Sequence, residues 1–145
     1  MRVIVQRVNK ANVSVNHEVV GSIDQGVVLL VGFTHQDTLD TVASMIHKVT
    51  HLRIFDDSQG VMNESLLDQG LSALSISQFT LYADTKKGHR PSYIEAAKPE
   101  QAQKLYEAFN QQLAAYVPVA TGVFGADMKI HVVLDGPVSI TLEKN

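Results

Sequence analysis

The run Gly26-Val27-Val28-Leu29-Leu30-Val31-Gly32-Phe33 constrains the fold more than any other stretch. It is apolar at consecutive positions and bounded by glycines, so it has no polar face to turn to water. A strand of this kind has to be covered on both sides. Val27 to Val31 is the longest apolar run and is too short to cross a membrane, so the cover must come from the rest of the chain. There are 145 residues, 45% of them hydrophobic, which is enough for one domain spanning residues 1–145 with a real core. Charged residues make up 19%, which excludes wholesale disorder. Cysteine is absent, so disulfides, thiolate nucleophiles and thiolate metal sites are excluded. Arg2-Val3-Ile4-Val5 follows residue 1 at once, and no signal peptide is expected. A soluble, cytoplasmic protein without a membrane partner is the expectation.

Around that strand the first third reads as β. Val3 and Val5, then Val13 and Val15, alternate with polar neighbours. Asn16-His17-Glu18 separates Val13–Val15 from Val19–Val20 and reads as a hairpin turn. A helix follows, capped by Asp37 or Thr38, with Leu39, Val42, Ala43, Ile46 and Val49 on one face. Arg53-Ile54-Phe55 reads as a short strand and Asp56 to Gly60 as a turn. Leu71 to Leu81 is strand-like, with Leu74, Ile76 and Leu81 as core candidates. Asp84 to Ser92 is the clearest loop. A second helix starts near Pro99 and turns Ala102, Leu105, Tyr106, Phe109 and Leu113 inward. Strands over Val117–Thr121, Met128–Leu134 and Val138–Leu142 close the chain, the last two interrupted by Asp135-Gly136-Pro137. Two main helices among many strands give an α+β class with a mostly antiparallel, barrel-like sheet.

The net charge of −3 leaves no surplus of cations for coating a long nucleic acid, so any such contact must be local. No G-x-S-x-G elbow, P-loop or H-E-x-x-H is present. His47 and His51 have metal-like spacing but no evident third ligand, and a surface pair is the plainer reading. Ser77-Gln78-Phe79-Thr80 puts hydroxyls and an amide where a core strand would carry aliphatics. It fits either a strand edge or the floor of a polar pocket. Gly136-Pro137 is either a plain turn or a rigid element aiming carbonyls at a site, since proline alone forms cis bonds cheaply. Arg7 has the parity of Val3 and Val5, so it either snorkels from the sheet or holds a backbone carbonyl with its fork. Lys86, Lys87, His89 and Arg90 form a basic loop, either solvated or a clamp for a nucleic-acid end.

In this order the pieces resemble the D-aminoacyl-tRNA deacylase family, that is, D-Tyr-tRNA deacylases. Met1 to Val8 resembles the family's first strand, and Gly60-Val61-Met62-Asn63 its G-x-M-N turn. Ser77-Gln78-Phe79-Thr80-Leu81 matches its SQFTL motif in full. Arg90-Pro91-Ser92-Tyr93 resembles R-P-S-aromatic, and Phe124-Gly125-Ala126-Asp127-Met128 resembles F-x-A-D-M. Asp135-Gly136-Pro137-Val138 lies where the family places a Gly-cisPro motif. The family's N-x-G-P-x-T is altered here: Leu134 replaces the Asn and Ser139 the Thr.

The resemblance implies hydrolysis of the ester joining a D-amino acid to the terminal ribose of tRNA, with Gly-tRNA(Ala) as a further substrate. It implies that the Phe79 main chain and its neighbours form an oxyanion hole. Ser77, Gln78 and Thr80 would shape the pocket, and the substrate's 2′-OH would assist in place of a side-chain base. Gly136-Pro137 from one subunit would enter the other subunit's pocket and reject L-amino acids by clash. Arg7, Phe124 and Met128 would support this, while Lys86, Lys87 and Arg90 would meet the acceptor end. Neither metal nor other cofactor is implied, and a two-fold homodimer is. A binding module for a small molecule or RNA end, without turnover, is the alternative on the same fold.

Overall fold

A computed structural model describes residues 1–145. The elements are β1 (Arg2–Val15), β2 (Glu18–Ile23), β3 (Gly26–Gly32), α1 (Leu39–His51), β4 (Phe55–Asp56), β5 (Met62–Glu64), α2 (Leu66–Gln69), β6 (Ser72–Ser77), α3 (Pro99–Leu113), β7 (Val119–Thr121) and β8 (Lys129–Glu143). A 3₁₀ turn, Phe79–Tyr82, follows β6. The main sheet runs β2-β1-β3-β6-β7, with β8 paired to β1. β1 is antiparallel to β2, β3 and β8, whereas β3–β6 and β6–β7 are parallel. Parallel neighbours need crossovers, and α1 and α3 lie in them. Both helices contact each other and bury their apolar faces in one core.

The glycine-bounded strand behaves as its sequence requires. Val27, Leu29 and Val31 face the helices in the large core, and Val28 faces a smaller core within the curved sheet. β1 serves both cores in turn: Val3 and Val5 join the helix side, then Val8, Ala11 and Val13 join the inner cluster. β8 does the same, with Val138, Ile140 and Leu142 against the large core and Ile130 against the small one. β8 changes face where the register slips by three residues, between Gln6↔Ser139 and Val8↔Leu134, and β1 where it slips again by one, between Val8↔Leu134 and Lys10↔Val133. A slip of odd length moves side chains to the other face. At Gly21 a Cβ would lie 2.6 Å from the Thr121 carbonyl oxygen, so glycine lets β2 approach β7 and nearly close the barrel.

Several sequence-derived boundaries shift. The first hairpin turn is two residues, Asn16 and His17, both at positive φ, with Glu18 already paired to Val15. Thr38 caps α1, while the Asp37 carboxylate takes the Met1 ammonium at 2.6 Å and the Thr34 N–H at 2.8 Å. The buried face of α1 is Val42, Met45, Ile46, Val49 and Thr50; Leu39, at the first position after the cap, and Ala43 are exposed. Thr50 is tolerated inside because its hydroxyl donates to the Ile46 carbonyl at 2.9 Å. The inward stripe of α3 is as expected. A third, short helix, α2, is capped by Ser65, and the strand expected over Arg53–Phe55 is β4, shifted to Phe55–Asp56. The strand expected to reach Leu81 stops at Ser77, and Leu81 is only half-buried. β7 begins at Val119 rather than Val117, and the two strands expected over 128–142 are the single β8 with a bulge.

Candidate active site

Ser77 closes β6 opposite Val31, and the Gln78 N–H donates the last ladder bond to the Val31 carbonyl at 2.7 Å. There the chain leaves the sheet and winds into the 3₁₀ turn, closed by Leu81 N–H to Gln78 carbonyl at 3.3 Å and Ala83 N–H to Thr80 carbonyl at 3.0 Å. The opening N–H groups of such a turn, here those of Phe79 and Thr80, have no acceptor within it. They sit at the rim of the protein, because Phe79 is 56% exposed although it is a large aromatic. Its ring packs edge-on against Tyr93, with centroids 5.0 Å apart. The Gln78 side-chain amide donates to the Thr80 hydroxyl, which fixes that hydroxyl's oxygen and leaves its proton free to donate.

The turn is held from behind. Arg2 donates to the Leu81 carbonyl at 3.0 Å and stacks over the Tyr82 ring at 4.5 Å. Tyr106 donates from α3 to the Ser75 carbonyl at 2.7 Å, and burial pushes its phenol pKa up, so it stays neutral. Phe124 packs on the Tyr106 ring, and the Met128 sulfur lies against Gly122, whose N–H also donates to Ser75. Phe124 and Met128 therefore buttress the strand beneath the turn. The contacts that Tyr106 and Tyr93 make here were not legible from sequence.

Gly136-Pro137 lies in the β1–β8 bulge. Its peptide bond is cis, Gly136 has φ +114°, and both residues are exposed. Arg7 is 8% exposed and sits beneath. Its Nη1 donates to the Ile54 carbonyl at 2.7 Å and its Nε to the Asp135 carbonyl at 3.3 Å. The Asp135 carboxylate lies 3.2 Å from Nε, and Asp56 lies 3.7 Å from Nη1. The inward reading of Arg7 holds, and so does its grip on a backbone carbonyl; the carboxylate partners had no local sequence signal.

Within one chain the two candidate elements are not adjacent. Ser77 is level with Val31 and hence Val3, whereas Gly136-Pro137 is level with Arg7. The strand order β8-β1-β3-β6 puts three strand spacings between them, and Val3 and Arg7 are four residue steps apart along β1. Together these separate them by on the order of 20 Å. Lys86, Lys87, His89 and Arg90 are exposed on a loop pinched by Asp84–Ser92 backbone bonds of 2.8 and 2.9 Å. There are two open clefts, of about 420 and 370 Å³: one, behind the end of the 3₁₀ turn, is lined by Arg2, His35, Tyr82, Lys86 and Glu143, the other by Lys10, Asn12 and Asp24. Ser77–Thr80 line neither. His47 and His51 stack at 4.1 Å, and His51 Nδ1 faces the His47 carbonyl at 2.9 Å. No group of three or more His, Asp or Glu side chains is placed to hold a metal ion. No helix is long and apolar enough to cross a membrane.

Comparison with known proteins gives the family and the fold. A solved structure named "c-Myc DNA Unwinding Element Binding Protein" is 38% identical, covers 100% of this chain and 99% of its own, and superposes with a TM-score of 0.95. Another, described as "Structural Analysis of a probable eukaryotic D-amino acid tRNA deacylase", is 17% identical over 97% of each chain with a TM-score of 0.85, and shares the fold. A family model described as D-Tyr-tRNA(Tyr) deacylase matches residues 4–143. The chain therefore belongs to the D-Tyr-tRNA(Tyr) deacylase family of D-aminoacyl-tRNA deacylases.

Proposed function

We propose that this deacylase works as a homodimer in which each Ser77–Thr80 turn is completed by Gly136-Pro137 of the other subunit. The observation that carries the reading is the separation of the two elements within one chain, which a second copy related by a two-fold axis removes. Val132, Val133 and Leu134 support it: they form an exposed apolar run on β8 that ends at the bulge.

In this reading the ester carbonyl of D-aminoacyl-tRNA lies against the Phe79 and Thr80 N–H groups. Attack of water turns that carbonyl oxygen into an oxyanion, which the two N–H groups stabilise. Ser77 and Thr80 hydroxyls hold the amino group and ribose, and Gln78 keeps Thr80 oriented. The ribose 2′-OH assists the attack; the C–O ester bond breaks, and free D-amino acid and tRNA leave. No side-chain base is required, in keeping with the absence of a histidine or carboxylate from the Ser77–Thr80 turn. Gly136-Pro137 occupies the space an L side chain needs. Glycine lacks that side chain, so Gly-tRNA(Ala) is accepted. Lys86, Lys87 and Arg90 meet the acceptor end alone, consistent with a net charge of −3.

Mixing two variants, one slowed and one stripped of selectivity, tests the shared site. Thr80→Val and Pro137→Ala subunits, unfolded and refolded together, form hybrid dimers in which one composite site is intact. Chirally selective turnover should reappear in the mixture. A D-over-L ratio no higher than that of the two variants refolded apart and then pooled would place each site within one subunit and overturn the reading.

A further inference from the structure

The Gly136-Pro137 bulge is tied to the protein through one guanidinium. Three residues beyond the register are inserted in β8 opposite Arg7, so the ladder gives this segment little support. Arg7 supplies the support instead, and it is itself anchored at the Ile54 carbonyl, 2.7 Å from Nη1. Two carboxylates approach it, but they are not equivalent. Asp56 lies 3.7 Å away with a side chain 57% exposed, on the segment that already holds Arg7 by its backbone. Asp135 lies 3.2 Å from Nε with a side chain 35% exposed, and its own carbonyl accepts from the same Nε at 3.3 Å. Asp135 is therefore attached to Arg7 at two points, immediately before Gly136. The next residue closes on the same group: a Cβ on Gly136 would lie 3.1 Å from Nη2.

We propose that the Asp135 carboxylate is a positioning residue for L-amino-acid rejection, acting through Arg7 to fix the direction of the Gly136-Pro137 backbone. This rests on the reading of Gly136-Pro137 as the chiral filter. The neighbouring position gives the carboxylate its importance here. Leu134 has no side-chain donor or acceptor, so its ladder pairing with Val8 is not reinforced by a side-chain tie at the start of the bulge. A charge-assisted pair with a planar guanidinium restricts direction as well as distance, and direction is what a steric filter requires. A carboxylate at Asp135 that only stabilised the fold would change D and L turnover together.

The test measures kcat/KM separately for D-Tyr-tRNA and L-Tyr-tRNA in the dimeric protein. Asp135→Ala should lower the D-over-L ratio by about 10-fold or more, through a gain in L turnover. Asp135→Glu should restore most of the ratio, and Asp135→Asn, which keeps an acceptor but not the charge, should fall between. Asp56→Ala should leave the ratio within about twofold, because only one of the two carboxylates is attached to the bulge. Pro137→Ala separates the two claims. Loss of discrimination in Pro137→Ala with full discrimination in Asp135→Ala and Asp135→Asn overturns the role of Asp135 alone. Full discrimination in all three overturns the filter reading with it. Equal loss in Asp56→Ala and Asp135→Ala overturns the positioning role, since any charge near Arg7 would then serve.

Discussion

At residue scale, the account depends on a few polar contacts placed on otherwise apolar strands. Thr80→Val removes the hydroxyl that Gln78 holds and keeps the shape. It should lower kcat/KM for D-Tyr-tRNA by about 10-fold, with thermal unfolding nearly unchanged, since one lost hydrogen bond is worth roughly 1 kcal/mol. Steady-state kinetics and a melting curve check both parts, and unaltered kinetics would remove Thr80 from the site. Gly136→Ala meets two obstacles: φ of +114°, and a Cβ 3.0 Å from the Val138 side chain and 3.1 Å from Arg7 Nη2. Strain of about 1–3 kcal/mol is expected, and with it a lower D-over-L ratio; a wild-type ratio and melting temperature would show that the bulge yields freely. The inward direction of Arg7 was legible because Val3 and Val5 set the parity. Its partners Ile54, Asp56 and Asp135 were not, because they lie far from Arg7 in sequence and carry no local pattern.

At element scale, the polar groups that terminate strands and turns matter more than the strands. Tyr106→Phe removes the bond from α3 to the Ser75 carbonyl under the site. That carbonyl keeps the Gly122 N–H at 3.2 Å, so the loss should stay near 1 kcal/mol in urea unfolding rather than the larger cost of an orphaned acceptor. In the β4–β5 turn, the Val61 and Gln59 N–H groups hold the Asp57 carboxyl below its ordinary pKa. A folded-state pKa below the unfolded one contributes stability above the ordinary value, about 3.9, which is lost as pH falls through the folded value. Asp57→Asn should therefore flatten the dependence of melting temperature on pH below about 4; an unchanged slope would assign the acid sensitivity to other carboxylates. The α3 stripe was legible because Pro99 fixes its start and the spacing does the rest. The end of β6 was not. Polar Gln78 and Thr80 break the alternation of Leu74 and Ile76, but that fits a strand edge as well as a pocket floor, and only the backbone turn at Gln78 reveals that the chain leaves the sheet there.

At the scale of the whole molecule, β8 passes from one core to the other at the level of Arg7 and β1 just beyond Val8, and the proposed filter is the irregularity where β8 does so. The main strands and the two-helix layer could be read from periodicity, but not the short β5 and α2 or the joining of the last two strands into β8. The parallel order β3-β6-β7 could not, because it joins residues far apart through two crossovers. The proposed dimer belongs to this scale too. Val133→Asp on the exposed β8 run should shift the protein to monomer in sedimentation and weaken deacylation with it, since each site would lose its partner's Gly136-Pro137. A dimer that survives Val133→Asp would move the interface off β8. The most direct test of the central claim is deacylation of matched D-Tyr-tRNA and L-Tyr-tRNA by the purified protein. The account predicts rapid loss of the D-ester with the L-ester spared, despite Leu134 beside the bulge. Hydrolysis of both would show an open filter, and hydrolysis of neither would contradict the account and favour a binding module that does not turn over its ligand.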